Sequence, residues 1–448
     1  MVVDSIRKRN ILPIAFGIIF LLLYWKLPLK YFASLLIGFL GFISILKDIR
    51  IGVLVSIITL PFWDYTLNLI FMGLMVGVYL FEMLFKGVRP LEKEPMDIPI
   101  ILFIIFILIS TITSIDIYGS FRDLAFHLTA IGFIFVLVNT IKTKKDFNIL
   151  ITCLIIAAAL VGIQGLLQYK EGVKMEAGWV DLIRNPEINI RIYSAFGNPN
   201  ILAEYLVMTI PISLALFWYS KRLFKKIFFF ATTIILLLSL MLTLSRGGWL
   251  GMAFGALIFA LLVERRLLLL AIPLATIMVY TLPERIFNRL LSIWEFKDFS
   301  SISRVNMWQT ALGIIHRNWL IGVGFGYIPF RMVYSSYAGH MGGYYHIHNT
   351  YLQTLGETGI VGLIILIFLI FTLFKYSIKR LIGGEDRYAK VMAGGLLAGL
   401  AGILFHGLVE NILYMPKIIA TFWIMIGLLL ILLRIADTED DMGQSERN

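Results

Sequence analysis

Charge is scarce in this chain. Only 15% of its 448 residues are Asp, Glu, Lys or Arg, against 59% hydrophobic, a balance that soluble globular domains do not show. There is one cysteine, Cys153, and it lies inside an apolar run, so no disulfide framework exists and the redox compartment cannot be read. No small-residue cleavage site follows the apolar stretch behind Arg7, Lys8 and Arg9, so that stretch is expected to stay as a first span, not to leave as a signal peptide. Walker, Rossmann and Ser-His-Asp signals are absent. So are a carboxylate cluster and an Asp-x-Asp pattern in the polar loops, and His346 with His348 alone is a poor ligand set. Neither a metal nor a cofactor is therefore expected. No internal period marks a repeat array.

What fills the chain is a series of apolar runs of membrane-spanning length. They number about fourteen, roughly 11–25, 30–46, 50–63, 66–85, 97–115, 120–139, 147–167, 201–220, 226–243, 248–263, 266–282, 352–374, 389–409 and 414–434. The fold class is therefore an all-α polytopic integral membrane protein with about 12–14 transmembrane helices. One long polar segment, roughly 283–350, interrupts the pattern, with room for one or two short helices; Ile302, Val305, Trp308, Ala311 and Leu312 fall at helical spacing there. The chain divides into N-terminal spans (1–167), central spans (168–282), the long loop (283–351), C-terminal spans (352–434) and an acidic, polar tail (435–448) expected to be disordered.

A net charge of +11 would suggest nucleic acid on a soluble protein. Here it sorts by membrane side instead. With the N-terminus in the cytoplasm, the inside connections hold Lys47 and Arg50; Lys86, Arg89 and Lys93; Lys142, Lys144 and Lys145; Lys221, Arg222, Lys225 and Lys226; Arg265 and Arg266; and a last basic group from Lys375 to Lys390. The alternation never fails. It puts both termini in the cytoplasm and the long loop outside, in contact with lipid and with no role for nucleic acid.

Several residues on that outer side carry chemistry. His348 sits where the long loop meets an apolar span, wet enough to titrate and held by packed neighbours, and imidazole suits proton transfer near neutral pH. His346 is a second histidine beside it. Arg246, in Ser245-Arg246-Gly247-Gly248, stands between two spans with almost no loop, a costly position for a guanidinium; it either holds an anion such as phosphate or snorkels to the interface, and snorkelling charge prefers the cytoplasmic side. Arg304 and Trp308 share a face if their segment is helical. Arg285, Arg289, Arg317 and Arg331 make the same loop basic, which suggests a polyanionic or pyrophosphate-bearing ligand. Gly322-Val323-Gly324-Phe325-Gly326 is no nucleotide fingerprint; a tight turn against the membrane is expected. Asn198, Pro199 and Asn200 open a span, either as ordinary helix punctuation or with Asn198 and Asn200 supporting the site. His406 and Glu410 fall four apart near the outer end of the penultimate span, hence on one expected helix face, where they line the cavity or pair with each other.

The order of these boxes resembles the O-antigen ligase and Wzy-type polymerase superfamily of bacterial envelope glycosyltransferases. The boxes are Gly197-Asn198-Pro199-Asn200, Ser245-Arg246-Gly247-Gly248, Arg304 with Trp308, Gly322 with Gly324, His348-Asn349 with Leu352-Gln353, and Gly356-Glu357 with Gly359. Each is weak alone, and the resemblance covers roughly 195–430; the first third matches only in hydropathy. It implies a GT-C-like membrane enzyme of the bacterial cytoplasmic membrane, metal-independent, with an extracytoplasmic site and an undecaprenyl-diphosphate-linked glycan as donor. By the same resemblance Arg246 and Arg304 engage the diphosphate and His348 is the base on an acceptor hydroxyl, with Asn349 favouring His348 over His346 as the match. Attack opposite the leaving group would invert the anomeric centre. The expected span count exceeds the usual twelve or so of such proteins. The acceptor is left open: a glycolipid, a growing glycan as in a polymerase, or a protein hydroxyl as in a protein O-oligosaccharyltransferase. A transporter or flippase would place ionisable residues deep in many spans and broken helices in matching halves, whereas these collect on one side; a non-catalytic scaffold is the remaining reading.

Overall fold

The computed structural model of the protein describes residues 24, 26, 28–87, 96–173, 176, 179, 190–281, 283–293, 299–338 and 346–445. The elements among these residues are helices, with no strand. The chain forms two compact units, residues 1–53 and 54–448. The first holds α1 (Leu29–Lys47) and the start of α2 (Ile49–Thr59). At their junction the Arg50 guanidinium grips Asp48 with Nε–Oδ1 at 2.9 Å and a second contact to Oδ2 at 2.7 Å, on an exposed surface.

The second unit holds the other helices. Its membrane-length members are α3 (Tyr65–Lys86), α5 (Ile117–Thr140), α6 (Lys144–Glu171), α7 (Pro199–Tyr219), α8 (Leu223–Leu242), α14 (Thr350–Ser377), α15 (Arg387–His406) and α16 (Pro416–Ser445). The shorter ones are α4 (Asp97–Ile112), α9 (Arg246–Leu262), α10 (Ala271–Thr281), α11 (Glu284–Leu291), α12 (Phe299–Arg317) and α13 (Tyr327–Ala338). Among the described residues nine helices are long and apolar enough to cross a membrane, and three shorter apolar helices, Ile49–Thr59, Asp97–Ile112 and Arg246–Leu262, accompany them. This is a polytopic all-α membrane protein, as the apolar runs imply. Most of the expected first span, 11–25, lies outside the described residues. The expected span 266–282 is a 3-10 turn, Arg265–Leu270, followed by the 11-residue α10. The backbone of α16 stays helical to Ser445, beyond the point where a structureless tail is expected.

Caps explain where the helices of the site begin. Asn198 accepts from the Asn200 amide at 2.8 Å, with Pro199 in the first helical position of α7. Ser245 caps α9 through the Gly248 amide at 3.4 Å, and Asn349 caps α14 through the Leu352 amide at 2.9 Å. Three of the polar residues singled out in the sequence thus first serve as helix starts. Helices α7, α9 and α15 then pack through small residues. A Cβ on Gly251 would lie 2.7 Å from the Gly402 carbonyl oxygen, and one on Gly402 would lie 2.8 Å from that of Gly251. Only glycine at both positions lets α9 and α15 cross so closely.

Helix α14 is broken at Gly359, where φ is +67°. The break frees backbone groups at membrane depth, and the segment before α13 takes them up. Val323 donates to the Gly356 carbonyl at 3.0 Å, Gly324 donates to that of Glu357 at 2.9 Å, and Ile360 donates to Trp319 at 2.8 Å. Gly322-Val323-Gly324-Phe325-Gly326 is therefore not only a turn; it is a strip of backbone clamped along the broken helix. Long-loop helices are present as expected, but the buried stripe of α12 is shifted. Met307, Ala311, Ile314 and Ile315 are buried, whereas Ile302, Val305 and Leu312 are exposed. The expected spacing mixed the two faces of one helix.

Candidate active site

The junction between α15 and α16 meets the start of α14. The Thr350 amide donates to the Gly407 carbonyl at 2.8 Å, and the Thr350 hydroxyl donates to the Glu410 carbonyl at 2.8 Å. Asn349 Nδ2 reaches the Leu408 carbonyl at 2.9 Å. These bonds bring His348 against Glu410, although the two residues are 62 positions apart. The helix α15 ends at His406. His406 and Glu410 therefore do not share a helix face; Glu410 lies in the turn after it, because past Gly407 the bonds tighten to Leu408 on Phe405 and Val409 on His406. His406 is buried instead beside Gly247, where an added Cβ would lie 2.7 Å from its ring.

Glu410 is the hub. It is 4% exposed, and its two oxygens face different partners. Oε1 is hydrogen-bonded to His348 Nδ1 and lies 3.8 Å from His346 Nδ1. Oε2 accepts from Asn200 Nδ2 at 3.1 Å and lies 3.6 Å from an Arg304 guanidinium nitrogen. Burial alone would raise the Glu410 carboxyl, but the charge and hydrogen bond of His348, with His346 and Arg304, outweigh it and hold the group well below the ordinary carboxylate range. Burial, then the charge of His348, pushes His346 down to about 3. His346 is therefore a neutral ring at neutral pH, packed at 4.4 Å from the Tyr414 ring.

The histidine loop is pinned from both sides. Ile347 donates its amide to Gln353 Oε1 at 3.1 Å, and its carbonyl accepts from the Trp308 indole at 2.9 Å. Between these anchors His348 has φ +46°, a left-handed conformation that costs a β-carbon residue about 1–3 kcal/mol and persists only where its surroundings impose it. Trp308 thus acts on the backbone of the loop while Arg304, one turn earlier, reaches Glu410.

Arginines collect on the other side of Glu410. Arg191 is 4% exposed and engages each guanidinium nitrogen once, Nε to the Thr243 carbonyl at 2.8 Å, one terminal nitrogen to the Trp179 carbonyl at 2.6 Å and the other to Asn200 Oδ1 at 3.0 Å, which leaves two N–H donors for a ligand. Burial, then the charges of Arg289, Arg304 and Arg246, brings it down to about 9. Arg289, also buried, donates to the Leu244 carbonyl at 3.4 Å. Arg246 donates to the Ser292 carbonyl at 3.0 Å and to the Ser301 hydroxyl at 3.3 Å, tying α9 to the loop helices. Four like charges held this closely make a site for a multiply charged anion. Of the residues singled out in the sequence, the fold gathers Arg246, Arg304, His346, His348, Asn200, His406 and Glu410, with Asn198, Ser245, Asn349 and Trp308 holding their supports. Glu357 is elsewhere: its carboxylate accepts from the Gly326 amide at 3.1 Å and from Gln353 Nε2 at 2.7 Å. Among the described residues, Gln353 links it to the histidine loop. Arg191 carries no signal in the sequence, because in a polar loop it resembles any surface arginine, and Arg289 is visible there only as loop charge.

His346, His348 and Glu410 bring their ligand atoms within 4.8 Å of one another. The fold thus supplies the third ligand that the sequence lacked, a donor set that transition metals accept. Yet Glu410 already serves His348, Asn200 and Arg304, and the positive field of the arginines opposes a second cation there.

Residues 231–367 match the family model described as O-antigen ligase. No curated protein matches the chain. The family match supports the O-antigen ligase and Wzy-type superfamily, and with it a glycosyltransferase-like activity in a multi-pass inner-membrane protein. The matched stretch contains Arg246, Arg304, His346 and His348 but neither Arg191, Asn200 nor Glu410. These three residues lie in a loop, in α7 and in the turn after α15.

Proposed function

We propose that this protein transfers a glycan from an undecaprenyl-diphosphate-linked donor to an acceptor hydroxyl, on the outer side of the cytoplasmic membrane, without a metal. The observation that carries this reading is the partition around Glu410, with histidines on one carboxylate oxygen and Arg304 with Asn200 on the other. With Nδ1 of His348 engaged by the carboxylate, neutral His348 keeps its lone pair on Nε2, the atom that takes the proton from the acceptor. The hydroxyl oxygen attacks the anomeric carbon as the bond from that carbon to the phosphate oxygen breaks. The proton passes to Nε2, and the lipid diphosphate leaves as an anion held by Arg246, Arg304, Arg191 and Arg289. Glu410 stabilises the imidazolium until it returns its proton to water. Attack opposite the leaving group inverts the anomeric centre.

Ligation to a glycolipid is the first reading; polymerisation and transfer to a protein hydroxyl differ only in the acceptor. The test uses purified protein in liposomes with a synthetic undecaprenyl-diphosphate-linked glycan and a glycolipid acceptor, in excess EDTA. Release of undecaprenyl diphosphate with appearance of an inverted glycoside is expected. Arg246→Lys keeps the charge but not the fork and should retain little of the rate, and Arg246→Ala less. A native rate in Arg246→Ala at normal insertion would remove this arginine from the site, and a rate that EDTA abolishes and magnesium restores would show that a metal is required.

A further inference from the structure

Arg246 heads a line of residues that runs away from the site. Along α9, Leu250, Phe254, Leu257 and Leu261 follow it at helical spacing and share its face. Leu250 is 38% exposed, Leu257 42% and Leu261 44%, so this face is open along its length. From Arg246 to Leu261 it runs about 22 Å along the axis, most of the depth of a hydrocarbon core. The far side of α9 is closed. A Cβ on Gly251 or Gly255 would meet the carbonyl oxygens of Gly402 and Ala398 in α15 at 2.7 and 2.8 Å, and one on Gly248 would lie 2.7 Å from Cβ of Ala203 in α7.

A second edge runs beside the line. Phe254 stacks on Phe405 of α15, with ring centroids 4.7 Å apart and planes 18° from parallel. Leu408, in the turn after α15, is 45% exposed, and its carbonyl accepts from Asn349, the neighbour of His348. One edge thus ends at Arg246 and the other at the histidine loop. Helix α10 returns after the turn Arg265–Leu270, and its Ile272, Ile277 and Tyr280 are each more than half exposed, so these side chains do not cover the line.

An apolar face on a membrane helix is ordinary lipid contact unless something selects its occupant. Here the head of the line does so. Arg246 lies with Arg191, Arg289 and Arg304 in the group that suits a multiply charged anion. A chain bonded to that anion must leave the site in some direction, and this line starts at one of the arginines. It is one residue wide, which suits a single chain and not the paired acyl tails of a phospholipid.

We infer that this face of α9, with Phe405 and Leu408, seats the polyprenyl chain of the donor, the diphosphate at Arg246 and the chain descending past Leu250 and Leu257 to Leu261. The inference rests on the proposed glycan transfer, and it adds the side from which the donor enters, out of the bilayer along α9. Lipid tails are as apolar as leucine, so the seat gains little from burial. What it supplies is orientation, holding the diphosphate end in one direction relative to His348 before the bond breaks.

The test is binding of prenyl diphosphates to full-length protein in nanodiscs. A polyprenyl diphosphate with a diazirine partway along its chain should label peptides carrying Leu257 or Phe405. Undecaprenyl diphosphate should compete and excess phosphatidylglycerol should not. Leu257→Trp and Leu261→Trp fill the line with a ring that a lipid-facing position tolerates. Each should weaken binding of undecaprenyl diphosphate about tenfold, the usual order for overpacking. Each should leave binding of geranyl diphosphate within about twofold, since that chain ends short of Leu257, about 17 Å along the axis from Arg246. The labelling is read on the native protein, so it decides the matter even where a variant fails to insert. Labelling elsewhere, equal competition by phosphatidylglycerol, native affinity for undecaprenyl diphosphate in both variants, or an equal loss for both ligands would overturn the inference. Native protein that binds no prenyl diphosphate would sink the proposed donor and the seat with it. Protein that binds the long chain here but transfers no glycan would sink the transfer and spare the seat; transfer at native rate and donor affinity in both Trp variants would do the reverse.

Discussion

At the scale of single residues, two adjacent histidines do different work. His348 bonds Glu410 directly, whereas His346 is neutral down to about 3 and stacks on Tyr414. His348→Ala should therefore lower the rate of transfer by about 10²–10⁴ and leave donor binding largely intact, because the arginines carry the diphosphate. His346→Gln should cost far less and leave the shape of the rate–pH profile between about pH 5 and 8 unchanged, since this ring does not titrate there. A dead His346→Gln with an active His348→Ala would move the base to the neighbour. Glu410 supplies a separate check. Its folded carboxyl lies well below the ordinary value of 4.5, so its contribution to stability is present above that value and fades as pH falls toward the folded one. The gap in Tm between the native protein and Glu410→Gln should be open at pH 7 and shrink below about pH 4.5; a gap independent of pH would show that the carboxylate charge is not what matters. The residue types on the histidine side were legible from sequence, because His348 stands at a loop–span junction. Glu410 was legible only as a companion, since nothing in the sequence places a residue 62 positions away on the same imidazole.

At the scale of elements, the site depends on one broken helix. The strip Gly322–Gly326 can lie along α14 only because Gly359 leaves helical geometry, and a Cβ at Gly359 would sit 2.3 Å from the Leu320 carbonyl group. Gly359→Ala therefore meets both an unfavourable left-handed φ and a clash with backbone, which no side-chain rotation relieves. It should destabilise by at least about 2 kcal/mol and lower Tm by roughly 5 °C or more, measured on protein purified in detergent. Because the same strip positions Gly326 against Glu357, and Gln353 links Glu357 to Ile347, transfer should fall as well. Little change in either would mean that the break is incidental. The Gly-rich strip was visible in the sequence as a turn. Its partner was not, because pattern reading treats 352–374 as one continuous span and hydropathy does not register a break whose backbone groups are met from another segment. For the same reason the apolar residues of α12 were found but their faces confused: Ile302 and Val305 share helical spacing with Ala311 without sharing its burial.

At the scale of the whole molecule, the placement of charge sets the working side. Every helix start that carries site chemistry, at Asn198, Ser245 and Asn349, opens toward the same cluster of Arg191, Arg246, Arg289 and Arg304. The basic connections at Lys221–Lys226 and Lys375–Lys390 fall at the opposite ends of α7 and α14. We propose from the positive-inside bias that those connections are cytoplasmic and the arginine cluster lies outside. On that orientation the cluster is a basic group on the side where basic residues are uncommon. Two of its arginines, Arg191 and Arg289, are buried against backbone carbonyls, and Arg304 faces Glu410. In a Cys153→Ser background, Glu171→Cys and Met332→Cys should react with an impermeant maleimide added to intact cells. Lys225→Cys and Lys379→Cys should react only after the membrane is opened. All four positions lie outside the cluster, so the substitutions leave its chemistry in place and the labelling reads sidedness alone. Reaction of the second pair in intact cells would turn the molecule over, put His348 and the arginines on the cytoplasmic face, and exclude a donor that is consumed on the outer one.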